Sequence, residues 1–93
     1  MVTDIPGDGK ELLTFPTLYP IKVVGRRSNM LRATIDAIVR QHVPDLEESQ
    51  ISERESNQHH FLSITYSITA RSREQVVALA NALQASKEVI MLI

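Results

Sequence analysis

There is no cysteine in this chain of 93 residues. Disulfides, thiolate metal sites and cysteine nucleophiles are excluded by that alone. A cysteine-free chain fits a reducing compartment, so a cytoplasmic location is expected. Long apolar runs are missing too. No stretch approaches the roughly 18 apolar residues that a transmembrane helix needs. Residues 1–10 lack a basic start followed by an apolar stretch and do not read as a signal peptide, so no membrane partner is expected. Nor is there an excess of charge of either sign: ten Lys and Arg stand against eleven Asp and Glu, for a formal net charge of −1. Phosphate backbones recruit proteins through surplus cations, and no nucleic-acid partner is expected.

Motifs that would announce an enzyme are equally scarce. There is no GxGxxG or Walker pattern and no nucleophile elbow. Three histidines occur: His42, His59 and His60. Adjacent residues of an extended segment point to opposite faces, so His59 and His60 do not share a metal there. Glu47, Glu48, Glu53 and Glu55 crowd one polar segment, which reads as a wet sheet edge. Acid–base work needs a carboxyl whose surroundings shift its pKa, and nothing in the sequence arranges one. The chain is therefore expected to be no enzyme, to need no cofactor and to hold no metal.

What is present is the composition of an ordinary soluble globular domain, 43% hydrophobic and 23% charged, of a length for one domain. Residues 1–10 carry two of the three glycines and read as a flexible lead-in; residues 11–93 read as the domain. Leu12, Leu13 and Phe15 are too apolar for a free tail. They are expected to dock on the body, as a helical turn ended by Pro16.

Leu18 to Val24 alternates Tyr19, Ile21 and Val23 with Pro20, Lys22 and Val24, and reads as a first strand ended by Gly25. Ser28 is the expected N-cap of a helix to about His42. Leu31, Ile35, Ile38, Val39 and His42 share one face of it. Arg32–Asp36 and Asp36–Arg40 are spaced as neighbour pairs on another. Leu46 to about Ser56 reads as a charged edge strand, followed by a turn at Asn57-Gln58. His60 to Ala70 is the clearest strand: Leu62, Ile64, Tyr66, Ile68 and Ala70 lie on one face, Phe61, Ser63, Thr65, Ser67 and Thr69 on the other. Ser72 and Gln75 fit a capping box opening a helix to about Ala85, with Val76, Leu79, Ala80 and Leu83 buried. Val89 to Ile93 closes the chain as a strand apolar on both faces.

Strand, helix, strand, strand, helix, strand is the order of the split βαβ. The expected fold class is α+β: a ferredoxin-like βαββαβ sandwich, with two helices on one face of a four-stranded antiparallel sheet. Two helices cover one face only. The hydroxyl row from Ser63 to Thr69 suits the uncovered face. The last strand does not: strict alternation puts Val89, Met91 and Ile93 on one side, and no charge guards the edge. That trio is the expected interface. Its cover is the Leu12-Leu13-Phe15 segment, a second copy of the chain, or a different protein partner. The candidate ligand site is the loop Gly25, Arg26, Arg27, Ser28, Asn29, where a helix N-terminus and two arginines favour an anion. The RNA-recognition fold shares this strand order, but its aromatics on the central strands have only Phe61 to represent them.

Glu11-Leu12-Leu13-Thr14-Phe15-Pro16-Thr17, followed by Ile21-Lys22-Val23-Val24-Gly25, resembles the YbeD family of small bacterial proteins of unknown function. Ser63 to Ala70, Glu74-Gln75-Val76 and the apolar end continue the resemblance over residues 11–93. It implies a ferredoxin-like fold similar to ACT domains, which regulate amino-acid metabolism by binding small effectors. The implied role is a non-catalytic regulatory domain, and the implied ligand a small carboxylate or amino acid near Gly25 to Asn29. Arg26, Arg27 and Ser28 stand where ACT domains commonly carry an acidic residue and a glycine.

Overall fold

The computed structural model describes residues 14–56, 58 and 60–93. Apolar alternation at period two and period 3.6 produces the expected order of elements: β1 (Thr17–Arg26), α1 (Leu31–His42), β2 (Ile51–Glu55), β3 (Phe61–Ala70), α2 (Arg73–Gln84) and β4 (Val89–Leu92), with a short 3-10 turn at Glu48–Gln50 ahead of β2. The sheet is antiparallel, in the order β2-β3-β1-β4. The two ten-residue strands pair along their whole length in the middle, from Thr17 opposite Ala70 to Arg26 opposite Phe61. Both helices lie on one face, giving the ferredoxin-like α+β sandwich.

The core forms between that face and the helices. Ile21 and Val23 of β1 meet Leu62, Ile64, Tyr66, Ile68 and Ala70 of β3. Leu31, Ile35 and Val39 of α1 and Leu79 and Leu83 of α2 close over them, with Val43 and Leu46 sealing the end of α1. Every one of these side chains is more than nine-tenths buried. Each large aliphatic residue so buried contributes about 1.5–3 kcal/mol by leaving water. Val76 and Ala80 are half-buried, at the margin of the α2 face. Phe15 packs against the cluster. Leu12 and Leu13, and the helical turn expected to hold them, lie outside the described residues.

Local details depart from the sequence reading. Gly25 does not end β1; the strand runs on through Arg26. Consequently Ser28 is not the N-cap of α1. The Arg27 amide still pairs with the His60 carbonyl, and the chain needs residues 28–30 to turn. Met30 occupies the N-cap position, without a side-chain cap. Ser28 contributes only its carbonyl, which accepts from the Leu31 amide at 3.4 Å. Strand geometry in the polar segment is limited to Ile51–Glu55, an edge strand paired with β3 alone. Before it, Glu47 and Gln50 form a capping box around the 3-10 turn. Gln58 lies in the turn that follows, and Asn57 falls outside the described residues.

Only half of the expected box opens α2. Ser72 Oγ accepts from the Gln75 amide at 3.1 Å, but the Gln75 side chain accepts from Arg71 and donates to the His42 carbonyl. Gln75 thus ties the start of α2 to the end of α1.

The last strand breaks its alternation. Val24 faces Met91, yet Gly25 faces Val89, so a bulge lies between them. A bulge puts two residues against one and resets which side each following residue takes. Val89 and Leu92 pack against the core, whereas Ile90, Met91 and Ile93 are exposed by 53%, 52% and 67%.

Candidate functional site

The strand register determines what the uncovered face displays. Leu18, Pro20, Lys22, Val24 and Arg26 come from β1; Phe61, Ser63, Thr65, Ser67 and Thr69 from β3; Ser52 and Arg54 from β2; Met91 and Ile93 from the β4 edge. The hydroxyl row of β3 is where alternation put it. Of the expected interface trio, Met91 and Ile93 lie on this surface, while the bulge turns Val89 inward and exposes Ile90 in its place.

At one end of this face the expected ligand loop meets the β2–β3 turn. Arg26 stands over the Phe61 ring at 5.7 Å, a separation at which a cation is attracted to the ring. Arg27 bonds the His60 carbonyl through its amide at 2.9 Å, and its guanidinium pairs with Glu55 at 2.9 Å. A shallow hollow of about 260 Å³ opens beside them, lined by Ser56, Gln58, His60 and Phe61. Ser56 Oγ accepts from the His60 and Phe61 amides, shaping the turn. Arg26, Arg27, Ser28 and Asn29 are exposed and Gly25 is buried. None of the five lines that hollow or the shallow one on the outer face of α2.

Gly25 has a packing reason to lack a side chain. A Cβ there would stand 2.6 Å from the Glu88 carbonyl oxygen and 2.7 Å from Leu31 Cδ1. The bulge and the first turn of α1 both approach because this position is bare. The three histidines do not converge: His42 Nδ1 is 3.2 Å from the Ile38 carbonyl, His60 is exposed, and His59 falls outside the described residues. Among the described residues no group of His, Asp and Glu is placed to hold a metal, and no helix is long and apolar enough to cross a membrane.

A charge cluster joining α1 to β2 and its preceding turn lies on the helix side. Arg32 makes the expected pair with Asp36 and also reaches Glu48 and Glu53. Burial works against its charge, but the hydrogen bonds it donates to Glu48, Glu53 and Asp36 outweigh that and raise its pKa. Tyr66 donates its hydroxyl to Asp36. Burial, reinforced by that bond, holds the phenol well above the usual tyrosine range. The expected Asp36–Arg40 pair gives way to Arg40 donating to the Leu46 carbonyl at 2.7 Å. Glu48 and Glu53 thus anchor α1 to β2 and its preceding turn.

This architecture is that of an ACT-like α+β domain. The solution structure of protein HP0495 from H. pylori superposes with a TM-score of 0.73 at 13% identity, covering 99% of this chain and 98% of that one. The ACT domain from GTP pyrophosphokinase of Chlorobium tepidum superposes with a TM-score of 0.65 at 16% identity, covering 82% and 94%. Residues 10–93 match the family described as "Protein of unknown function (DUF493)", and the chain belongs to that family, the one to which the YbeD resemblance pointed. A UPF0250 protein of Pseudomonas paraeruginosa is 34% identical over 93 residues, 99% of this chain and 100% of its own. One from Chromobacterium violaceum is 40% identical over 67 residues, 72% and 75%.

Proposed function

We propose that this chain is a non-catalytic, ACT-like regulatory module that works by binding another protein across the uncovered face of its sheet and the β4 edge. The observation that carries this reading is the exposure of Ile90, Met91 and Ile93 together on an edge strand without a guarding charge. Natural edges are usually blunted by charge, proline or cover, and clustered exposed apolar side chains mark association surfaces. A photo-crosslinking residue placed at Thr65 or Met91 in growing bacteria tests it. Discrete protein adducts are expected at those two positions and not at Asn81 on the outer face of α2. Absence of adducts at Thr65 and Met91, or equal adducts at Asn81, overturns the reading.

A second reading, a small carboxylate or amino-acid effector at Gly25 to Asn29, is favoured by one observation: Arg26 and Arg27 adjoin the hollow lined by Ser56, Gln58, His60 and Phe61. A ligand bound only by the native state raises stability, by about 2.7 kcal/mol at a hundred times its Kd. Thermal melts with amino acids and small carboxylates should then show an upward shift that Arg26→Ala removes. Unchanged melts at millimolar concentrations reject this site.

A further inference from the structure

The rows of the uncovered face carry a statement about the chemistry of the partner. One cross-strand row runs Arg54, Ser63, Val24, Met91; the next runs Ser52, Thr65, Lys22, Ile93. Arg26 lies beside Phe61 one step beyond the first row. Strands lie about 4.8 Å apart and rise about 3.4 Å per residue. Lys22, Arg26 and Arg54 therefore outline a patch roughly 10–14 Å across. Among the described residues Lys22 and Arg54 have no ion pair, and Arg26 is engaged only by the Phe61 ring.

No Asp or Glu occupies an uncovered-face position in any of the four strands. Glu53 and Glu55 of β2 fall opposite Ile64 and Leu62, on the covered side. There Arg32 takes Glu53 and Arg27 takes Glu55. A chain with a net charge of −1 so presents, among the described residues, one face whose charged side chains are all cationic, with the apolar Val24 between Lys22 and Arg26 and with Met91 and Ile93 on the adjoining edge.

We infer that this face docks an acidic amphipathic helix of a partner protein, with carboxylates over Lys22, Arg26 and Arg54 and an apolar stripe along Val24, Met91 and Ile93. The inference rests on the protein-binding reading above. Across the sheet, the β1 cations lie about 5 Å and Arg54 of β2 about 14 Å from the β4 edge, and a helix about 10–12 Å in diameter laid across the strands reaches both. It carries acidic and apolar stripes side by side, with neighbours about 6 Å apart. An extended strand alternates its side chains between opposite faces and offers the sheet only one of the two characters. A phosphate backbone satisfies the cations but leaves Val24, Met91 and Ile93 wet. A lipid surface is poorly served by the flat hydroxyl row between them.

The test titrates the isotope-labelled full chain with synthetic peptides of equal length. One is a Glu/Leu amphipathic helix, the second its Lys/Leu counterpart, and the third a Glu/Leu permutation with no stripe. Only the first is expected to shift the amides of Lys22, Val24, Ser63, Thr65 and Met91. Its affinity is expected to fall at least tenfold in the double variant Lys22→Glu, Arg54→Glu, and again in Met91→Lys. Raising salt from about 50 to about 300 mM should weaken it strongly, since screening shortens the reach of exposed charges. Thermal melts confirm that each variant is folded, and Lys22→Gln with Arg54→Gln serves if charge reversal unfolds the chain.

Several results overturn the inference: no shifts at millimolar Glu/Leu peptide, shifts confined to the helix side, equal binding of the Lys/Leu peptide, or undiminished binding by the folded variants. Tighter binding to phosphatidylglycerol vesicles or to single-stranded RNA, or shifts on this face that depend on protein concentration alone, also overturns it, in favour of a lipid, a nucleic acid or a second copy. If the peptides fail while Thr65 and Met91 still give protein crosslinks in cells, the broader reading stands and only the acidic helix is lost.

Discussion

Tyr66, on the covered face of the central strand β3, donates its hydroxyl to Asp36 of α1, and Asp36 in turn receives Arg32. A phenol inside an otherwise apolar core thereby reaches a charge at the core's rim, and both of its needs are met: the ring is buried and the hydroxyl has a partner. Tyr66→Phe removes one charge-assisted bond while leaving the packing intact. It is expected to cost about 1–2 kcal/mol in urea denaturation. The pH dependence follows from the raised pKa. The native state keeps its proton where the unfolded chain loses it, so the stabilisation is complete below about pH 10 and is lost as pH rises above that value. Phenolate absorbance should show one of the two tyrosines ionising only as the chain unfolds, and that component should vanish in Tyr66→Phe.

Arg32→Lys tests whether the guanidinium fork matters. Arg32 serves Asp36, Glu48 and Glu53 at once, and an ammonium cannot match that planar geometry. The sites are partly exposed, so the loss is modest, about 1 kcal/mol. The wild-type advantage should shrink in high salt. Hydrogen exchange is expected to quicken first in Ile51–Glu55, which loses its tie to α1.

Gly25→Ala should destabilise by about 1–3 kcal/mol, the range for forcing extra volume into a packed site. Pairing it with Leu31→Ala relieves the contact with Leu31 Cδ1 but not the one with the Glu88 carbonyl oxygen. The double variant is therefore expected to stay less stable than Leu31→Ala alone. A rescue to the level of Leu31→Ala in denaturant melts would show that the backbone approach is unimportant.

The β4 bulge makes a prediction opposite to that of strict alternation. Val89→Asp should cost about 1–3 kcal/mol, because Val89 packs on the core. Ile90→Lys should stay within about 0.5 kcal/mol, as exposed positions do. Alternation would group Val89 with Met91 and Ile93 and reverse the order of the first pair. Thermal melts of the two variants decide it.

The two candidate helix caps should separate as sharply. Ser72→Ala removes the bond to the Gln75 amide and is expected to cost about 1 kcal/mol. Ser28→Ala removes no side-chain cap, because Met30 holds that place at α1, and its melting curve should overlay that of the wild type.

Where a residue's role depends on near neighbours in sequence, it was legible. The alternation from Leu62 to Ala70 gave both faces of β3, and Ser72 announced α2. The order of elements followed, and with it the sandwich. What could not be read depends on a partner distant in the chain. Val89 faces inward because of the bulge opposite Gly25, where the missing Cβ lets the Glu88 carbonyl approach. Periodicity within Val89 to Ile93 carries no trace of that. Ser28 looked like a cap because nothing local says that Arg27 still pairs with His60. Arg32 was paired correctly with Asp36, its neighbour on the helix, while Glu48 and Glu53 required the fold of the intervening chain. The cationic character of the uncovered face was hidden for the same reason. Lys22, Arg26 and Arg54 come together only once β1 and β2 flank β3.

The central pairing of β1 with β3 has a kinetic corollary. The two strands are separated in the chain by all of α1 and β2, so the middle of the sheet cannot zip outward from a tight hairpin. A long loop must close before those ten-residue ladders yield anything. Acquisition of the native state should therefore be slow beside that of a helical bundle of similar size, in the intermediate range of mixed α/β domains.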